Sequence, residues 1–324
     1  MNPSPPAAAL DIGSNSVHLL VAHQGPGGVP VPMLDVSHQA AIGRTVVATG
    51  ALGAELRDEL VRTVTGYADQ ARELGATTLL LLGTEAVRQA SDATALTSAL
   101  RTDTGHAMTV LDRASEGLLT LLGVTGGRVP PSLAVVDIGG GSTEVTMMRR
   151  DGRPMVGIVP IGSAHLALAH IRHDPVSRDE VAALREAARG HVAALDMPRP
   201  ERAIVAGGSG TNVSRLLGRE RTTPVDRAAI EEGFSVLQAH PAEELAARTG
   251  LTVRRVAQLA AGLAIGEALF ERLGLDIADV SDASLREGAL IAAWIAGPDW
   301  LEGLPALVGA RAVGPAPDGQ DRAS

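Results

Sequence analysis

Ala134-Val135-Val136-Asp137-Ile138-Gly139-Gly140-Gly141-Ser142-Thr143-Glu144-Val145 packs three glycines, two hydroxyls and two acids between two apolar runs. The runs at 134–136 and 145–148 read as β-strands, and the glycines between them permit φ > 0 and leave backbone N–H groups unobstructed. An oxyanion can approach such amides with no Cβ in the way. Ser142 and Thr143 add hydroxyl donors, and Asp137 or Glu144 can hold a cation that offsets phosphate charge. The alternative is an ordinary glycine-rich hairpin.

A second copy weakens that alternative. Asp11-Ile12-Gly13-Ser14-Asn15-Ser16, between apolar residues 7–10 and 17–21, repeats the order strand, Asp-Ile-Gly, small polar turn, strand. Two such hairpins point to a duplicated architecture with one phosphate loop from each half. The candidate phosphate-binding residues are Gly13, Ser14, Asn15 and Ser16 in the first loop and Gly139, Gly140, Gly141, Ser142 and Thr143 in the second. Asp11 joins Asp137 and Glu144 as a candidate metal ligand. A third transition, strand 202–206 into Gly207-Gly208-Ser209-Gly210, can take a nucleotide or the far end of a polyphosphate, or is a tight strand–helix turn.

Between and beyond these loops strands alternate with helices. Leu56, Leu60, Val64, Tyr67 and Ala71 fall at helical spacing and predict a helix over 53–74 that stops at Gly75. A buried strand over 77–82 runs into Gly83-Thr84-Glu85-Ala86-Val87-Arg88, the exit from a strand's carboxyl end where α/β proteins place ligands. Arg88 is the anion-binding candidate there, against an ordinary solvated arginine. A strand over 107–111 precedes a helix whose first turn holds Glu116; by position alone that acid stabilises the helix end, with Ser115 or Asp112 as cap. Residues 126–131 read as a linker between the halves. Further on, strands are expected over 155–161 and 277–280, and helices over 179–195, 227–238, 242–249, 253–273 and 285–295. The stretch from 297, rich in Gly, Pro and Ala, reads as frayed or disordered. His18, His38 and His165 lack the spacing of a metal pair and read as polar or packing residues.

Composition narrows the chemistry. A chain of 324 residues has room for two lobes, and 45% hydrophobic with 2% aromatic residues implies a core of Ala, Val, Leu and Ile, suited to helices on buried sheets. There is no cysteine, which excludes disulfides, thiolate metal sites and cysteine nucleophiles. There is also no lysine, so all 28 basic residues are arginine, and Walker A, Schiff-base and protein kinase lysine chemistry are excluded. Phosphate charge must be met by backbone amides, arginine or a metal. A net charge of −9 argues against a nucleic-acid binder. No apolar run approaches the roughly 20 residues of a membrane span and the start lacks a signal peptide's basic residues, so a cytoplasmic protein with no membrane partner is expected.

Leu10-Asp11-Ile12-Gly13-Ser14-Asn15-Ser16, Gly83-Thr84-Glu85-Ala86-Val87-Arg88, Val136-Asp137-Ile138-Gly139-Gly140-Gly141-Ser142-Thr143-Glu144 and Leu285-Arg286-Glu287-Gly288 occur in that order. Together they resemble the exopolyphosphatase and guanosine pentaphosphate phosphohydrolase family, of the acetate kinase, sugar kinase, Hsp70 and actin superfamily. The resemblance implies an α/β fold of two ribonuclease H-like, actin-like ATPase lobes with the active cleft between them. The lobes are expected at 1–125 and 126–298, followed by a flexible tail at 299–324, as in the short two-lobe members. It also implies a homodimer. The family's catalytic carboxylate lies in a Glu-Glu-Ala-Arg-Leu segment, which Ser115-Glu116-Gly117-Leu118-Leu119 matches here. Glu116 keeps the essential acid, while Ser115 and Leu118 replace the first Glu and the Arg, and Ala257 stands where many members have Asp.

The implied activity is release of terminal phosphate from inorganic polyphosphate, short chains in particular, or from guanosine pentaphosphate, by metal-assisted in-line attack of water. In this scheme Glu116 orients or deprotonates the water and Arg88 clamps the terminal phosphate. The two loops bind successive phosphates, and Asp11, Asp137 and Glu144 position Mg²⁺ or Mn²⁺. A carboxylate in the first turn of a helix is expected to have a lowered pKa, which suits water orientation. Two alternatives are a small-molecule kinase using ATP and a non-catalytic sensor that binds polyphosphate or guanosine tetraphosphate.

Overall fold

The computed structural model describes residues 4–313. β1 (Ala7–Ile12) and β2 (Ser16–Gln24) form the first hairpin, and β3 (Pro30–Gln39) continues it as an antiparallel edge strand. After α1 (Ile42–Thr49) and α2 (Gly53–Glu73), β4 (Thr78–Gly83) returns parallel to β1. Then α3 (Glu85–Gln89) and α4 (Ala93–Thr104) lead to β5 (Met108–Val110), which closes the sheet in the order β3-β2-β1-β4-β5.

After α5 (Arg113–Val124) the plan repeats. β6 (Leu133–Ile138), β7 (Thr143–Met148) and β8 (Pro154–Val159) make an antiparallel meander. Following α6 (Ser163–His170) and α7 (Arg178–Val192), β9 (Arg202–Ala206) pairs parallel to β6 and runs directly into α8 (Gly207–Leu216). Next come β10 (Val225–Asp226), α9 (Arg227–Ala239), α10 (Ala242–Thr249), α11 (Val253–Leu273) and β11 (Ile277–Ser281), giving the sheet order β10-β11-β9-β6-β7-β8. A meander followed by two parallel strands is common to both sheets, so the duplication expected from the paired Asp-Ile-Gly hairpins is present. The register agrees too: Ile12 pairs Val17 and Asp11 pairs His18, as Ile138 pairs Thr143 and Asp137 pairs Glu144.

α12 (Leu285–Ala296) joins the halves. It lies on α5, and Leu285 of α12 and the leucines of α5 sit in a core shared by Leu82 of the first sheet and Val135 and Met148 of the second. Leu290 also packs on Ala7, Ala9, Leu20 and Ala22 of the first hairpin. Glycine allows the approach: a Cβ at Gly288 would lie 1.9 Å from the Leu119 carbonyl oxygen, and one at Gly123 would lie 2.2 Å from that of Ser284. The Leu-Arg-Glu-Gly motif therefore divides its work. Leu285 fills the shared core, Glu287 completes a capping box with Ser284, and Gly288 permits the helix contact, leaving Arg286 free for the cleft.

The predicted strands and long helices are found within a few residues, while β3, β10, α1, α4 and α6 are not among those expected. β3 is exposed along most of its length and carries Pro30 and Pro32, so no apolar alternation marks it. The tail expected to be flexible from 299 is corrected over its described part. α13 (Leu304–Ala310) forms there, Trp300, Leu304 and Val308 are buried in the shared core, and Ala312 bridges Val129 of the expected linker. The apolar side chains in this Gly- and Pro-rich stretch suffice to dock it; residues 314–324 lie outside those described. Among the described residues no helix is long and apolar enough to cross a membrane.

The helix contact predicts opposite outcomes at two glycines. Gly288→Ala is expected to destabilise the protein by about 3 kcal/mol, at the upper end for overpacking. Gly66→Ala, on α2 with open space around it, is expected to stabilise by about 0.5–1 kcal/mol. Urea unfolding midpoints measure both.

Candidate active site

The two glycine turns face each other across a cleft of about 560 Å³. Each turn closes in the same way: the Gly13 N–H donates to the Ser16 carbonyl at 3.0 Å, and the Gly139 N–H to the Ser142 carbonyl at 2.9 Å. None of Gly13, Gly139, Gly140 or Gly141 has a positive φ, which corrects the conformational reason expected for them. The requirement is close approach. A Cβ at Gly140 would lie 2.7 Å from Asn15 Nδ2 of the opposite loop, and one at Gly141 would lie 2.8 Å from Glu85 Cγ. The second loop is fixed from behind by α6, where the Ser163 and Ala164 N–H groups donate to the carbonyls of Gly139 and Gly140 at 2.9 and 3.0 Å.

Gly13, Ser14, Asn15, Ser16, Gly139, Gly140, Gly141 and Ser142 all line the cleft, as do Gly207 and Gly208. Thr143 does not. It is fully buried and its hydroxyl donates to the Ile161 carbonyl at 2.8 Å, because the ladder with β7 begins at this residue and turns its side chain away. Gly207 and Gly208 form the first turn of α8, whose N-cap Ala206 has no capping side chain. The third glycine stretch is thus a tight strand–helix turn with N–H groups directed at the cleft.

Asp11, Glu85, Glu116, Asp137 and Glu144 also line it. Burial pushes Asp11 up to about 7, with Arg286 opposing and Asp137 adding to the shift. Burial likewise raises Asp137 to about 6, against a hydrogen bond from Thr120 at 3.2 Å. Glu144 is raised well above the usual carboxylate range by burial and then by the charges of Glu116 and Asp137. Asp11 Oδ1 and Glu144 Oε1 are buried without a hydrogen-bond partner. Two orphaned carboxylate oxygens, in an all-oxygen donor set held above its ordinary pKa, fit a hard divalent cation. Among the described residues no group of three or more His, Asp or Glu side chains is placed to hold a metal ion, so Asp11, Asp137 and Glu144 are not brought together as one ligand set and water and substrate oxygens would have to supply most of the shell.

Glu116 sits in the first turn of α5, capped by Asp112, which accepts from the Ser115 N–H at 2.7 Å. The lowered pKa expected for it is corrected. Burial raises Glu116 to about 8; the Arg88 hydrogen bond and charge oppose this, and the charges of Asp11 and Asp137 add to it. Desolvation overrides the helix end because the side chain is turned inward among other acids. Arg88 is also placed differently from expectation. It donates to Glu116, to Glu85 and to the Leu111 carbonyl, and it stands behind the two acids rather than in the cleft wall. Leu118 belongs to the shared core and Ala257 is exposed on α11 outside the cleft wall.

Sequence reasoning missed a wall of arginines. Arg215, Arg221, Arg255 and Arg286 also line the cleft, with Arg286 near enough to Asp11 to oppose its raised pKa. Arg286 is buried and donates to Asp35 at 2.6 Å, and Arg221 pairs with Asp282. Arg255, its pKa lowered by burial and by neighbouring Arg254, accepts no carboxylate partner among the described ion pairs. Arg254 reaches across the lobes to the Ala40 carbonyl at 2.8 Å and to Asn15 at 3.3 Å. One signal was available: Arg254 and Arg255 occupy the first turn of α11, where the helix dipole disfavours cations.

The chain is similar to several known proteins. Exopolyphosphatase 1 of Mycobacterium leprae is 29% identical over 301 residues, covering 87% of each chain. The guanosine-5'-triphosphate,3'-diphosphate pyrophosphatase of Vibrio cholerae is 24% identical over 294 residues, 88% of this chain and 58% of that one. The crystal structure of the Ppx/GppA family member from Aquifex aeolicus superposes with a TM-score of 0.76 at 25% identity, covering 90% of this chain and 98% of that one. With the Ppx/GppA phosphatase family profile matching residues 20–294, the chain belongs to that family.

Proposed function

We propose that the protein is a phosphohydrolase that releases the terminal phosphate of inorganic polyphosphate, short chains in particular, and of guanosine pentaphosphate. The observation that carries this is Glu116, a carboxylate raised to about 8 that faces the cleft between two glycine loops and is tied to Arg88. A base with a pKa near the working pH can take a proton from water as the water oxygen bonds to phosphorus. The bridging oxygen then leaves with its electron pair on the shortened chain. Arg88 keeps the Glu116 carboxylate oriented toward that water. N–H groups of the two loops and of the first turn of α8 bind the non-bridging oxygens, and the arginine wall takes the charge of the remaining chain. Of Asp11, Asp137 and Glu144, one or two carboxylates at a time would hold Mg²⁺ or Mn²⁺ with water and substrate oxygens as the other ligands, and the ion would neutralise phosphate charge when bound. A net charge of −9 weighs against long polyanions, and a homodimer in the cytoplasm completes the proposal.

Glu116→Gln is expected to lower phosphate release from short polyphosphate by about 10²- to 10⁴-fold while the protein stays folded. Near-normal turnover in a malachite-green assay would remove Glu116 from the mechanism, and phosphate transfer from ATP to an acceptor without polyphosphate hydrolysis would favour the kinase alternative.

The raised pKa also fixes a stability sign. Glu116 holds its proton more tightly folded than unfolded, so its contribution is complete below about 4.5 and is lost as pH rises through about 8. Metal-free Glu116→Gln should therefore melt above the wild type at pH 8, with the gap closing toward pH 5. In turnover, kcat/KM is expected to climb through neutral pH as Glu116 ionises, and removal of divalent cation by chelation to abolish it; an acidic limb that is flat to pH 5 would contradict the assignment.

A further inference from the structure

We propose that Glu85 is a built-in competitor for the terminal phosphate, an anion that occupies the donors of Arg88 and Arg113 and so sets how tightly the cleft holds substrate and released phosphate. This rests on the phosphohydrolase reading above. Glu85 opens α3, is only 4% exposed, and lies so near the second loop that a Cβ at Gly141 would be 2.8 Å from its Cγ. Its Oε2 accepts from Arg88, and its Oε1 accepts from Arg113 and from Gln89. Glu85 and Glu116 line the cleft, whereas Arg88 and Arg113 do not. An oxyanion held by the glycine loop therefore meets carboxylates before it meets either guanidinium.

A helix-end acid needs no such partners. An exposed carboxylate at the first turn of α3 would serve the helix equally well. Instead two oxygens of a planar anion sit beside a phosphate loop and receive donors from two arginines, the arrangement that phosphate oxygens also favour. Burial alone would raise the Glu85 pKa, but the hydrogen bonds from Arg113 and Arg88 outweigh it and hold it below the usual range, so the competitor stays charged. Arg113 Nε is buried with no acceptor at all, so this guanidinium has donor capacity that Glu85 does not use. Displacing Glu85 gives the phosphate two charged forks, and its return expels the product. Weak ground-state binding of this kind favours turnover over affinity.

Glu85→Gln keeps the shape and removes the charge. It is expected to lower KM for short polyphosphate and the inhibition constant for inorganic phosphate together, each about tenfold, the effect of about 1.4 kcal/mol of added attraction. kcat should not rise. Glu85→Asp retains the charge but withdraws it from the two guanidinium groups, and should shift both constants in the same direction by less than Glu85→Gln does. Calorimetric titration of the folded proteins with inorganic phosphate should show the same order of affinities without turnover. Unchanged or weaker phosphate binding in Glu85→Gln, or an equal shift in Glu85→Asp, overturns the inference. Arg113→Gln provides a second test should Glu85→Gln not fold: phosphate binding should weaken about tenfold, and unchanged binding overturns the proposal. A wild type that releases no phosphate from polyphosphate would refute the phosphohydrolase reading alone, since the calorimetric comparison still reports on Glu85.

Discussion

The second hairpin turn is approached so closely by the first turn and by the start of α3 that a Cβ at Gly140 would press on Asn15 and one at Gly141 on Glu85. Everything around the cleft is arranged to hold that approach. α6 fixes the second loop through its N–H groups, Arg254 ties α11 to the first loop and to Ala40, and α12 crosses α5 at Gly123 and Gly288. The consequence is a set of backbone donors positioned before any ligand arrives, which is where such sites gain most over water.

The same geometry concentrates like charge. Asp11, Glu85, Glu116, Asp137 and Glu144 share one wall, and their burial is compensated unevenly. Glu85 has two arginines and remains in a low pKa range, while Glu116 shares one arginine and rises to about 8. Asp11 and Glu144 each keep an oxygen with no partner. Such a wall is unfavourable to an isolated fold and useful only where positive charge or a proton is exchanged during work.

Much of this was legible in the chain. The paired Asp-Ile-Gly turns disclosed the duplication because a strand–turn–strand signal is local, and the helix expected over 253–273 is found with those bounds, between the caps Thr252 and Gly274. Other features were invisible for identifiable reasons. With arginine the sole basic residue, Arg215, Arg221 and Arg255 looked like any other surface cation, and Leu-Arg-Glu-Gly, with Arg286 in it, read as one motif although its four residues do different jobs. The pKa of Glu116 was misjudged because the helix end is a local property and desolvation is a tertiary one. β3 was lost because an exposed edge strand has no apolar alternation to display.

Among the positions at which the matched hairpins differ is the partner of the loop aspartate. Where Asp137 faces Glu144, Asp11 faces His18, which burial and then the charge of Arg286 depress to about 4, leaving it neutral and hydrogen-bonded to Ser16 at 2.6 Å. A cleft built from two equal halves would offer a linear polyanion two equivalent orientations. Exchanging a carboxylate for a neutral imidazole in one half removes that equivalence, and a duplicated scaffold thereby acquires a direction along which a chain has a first end and a last.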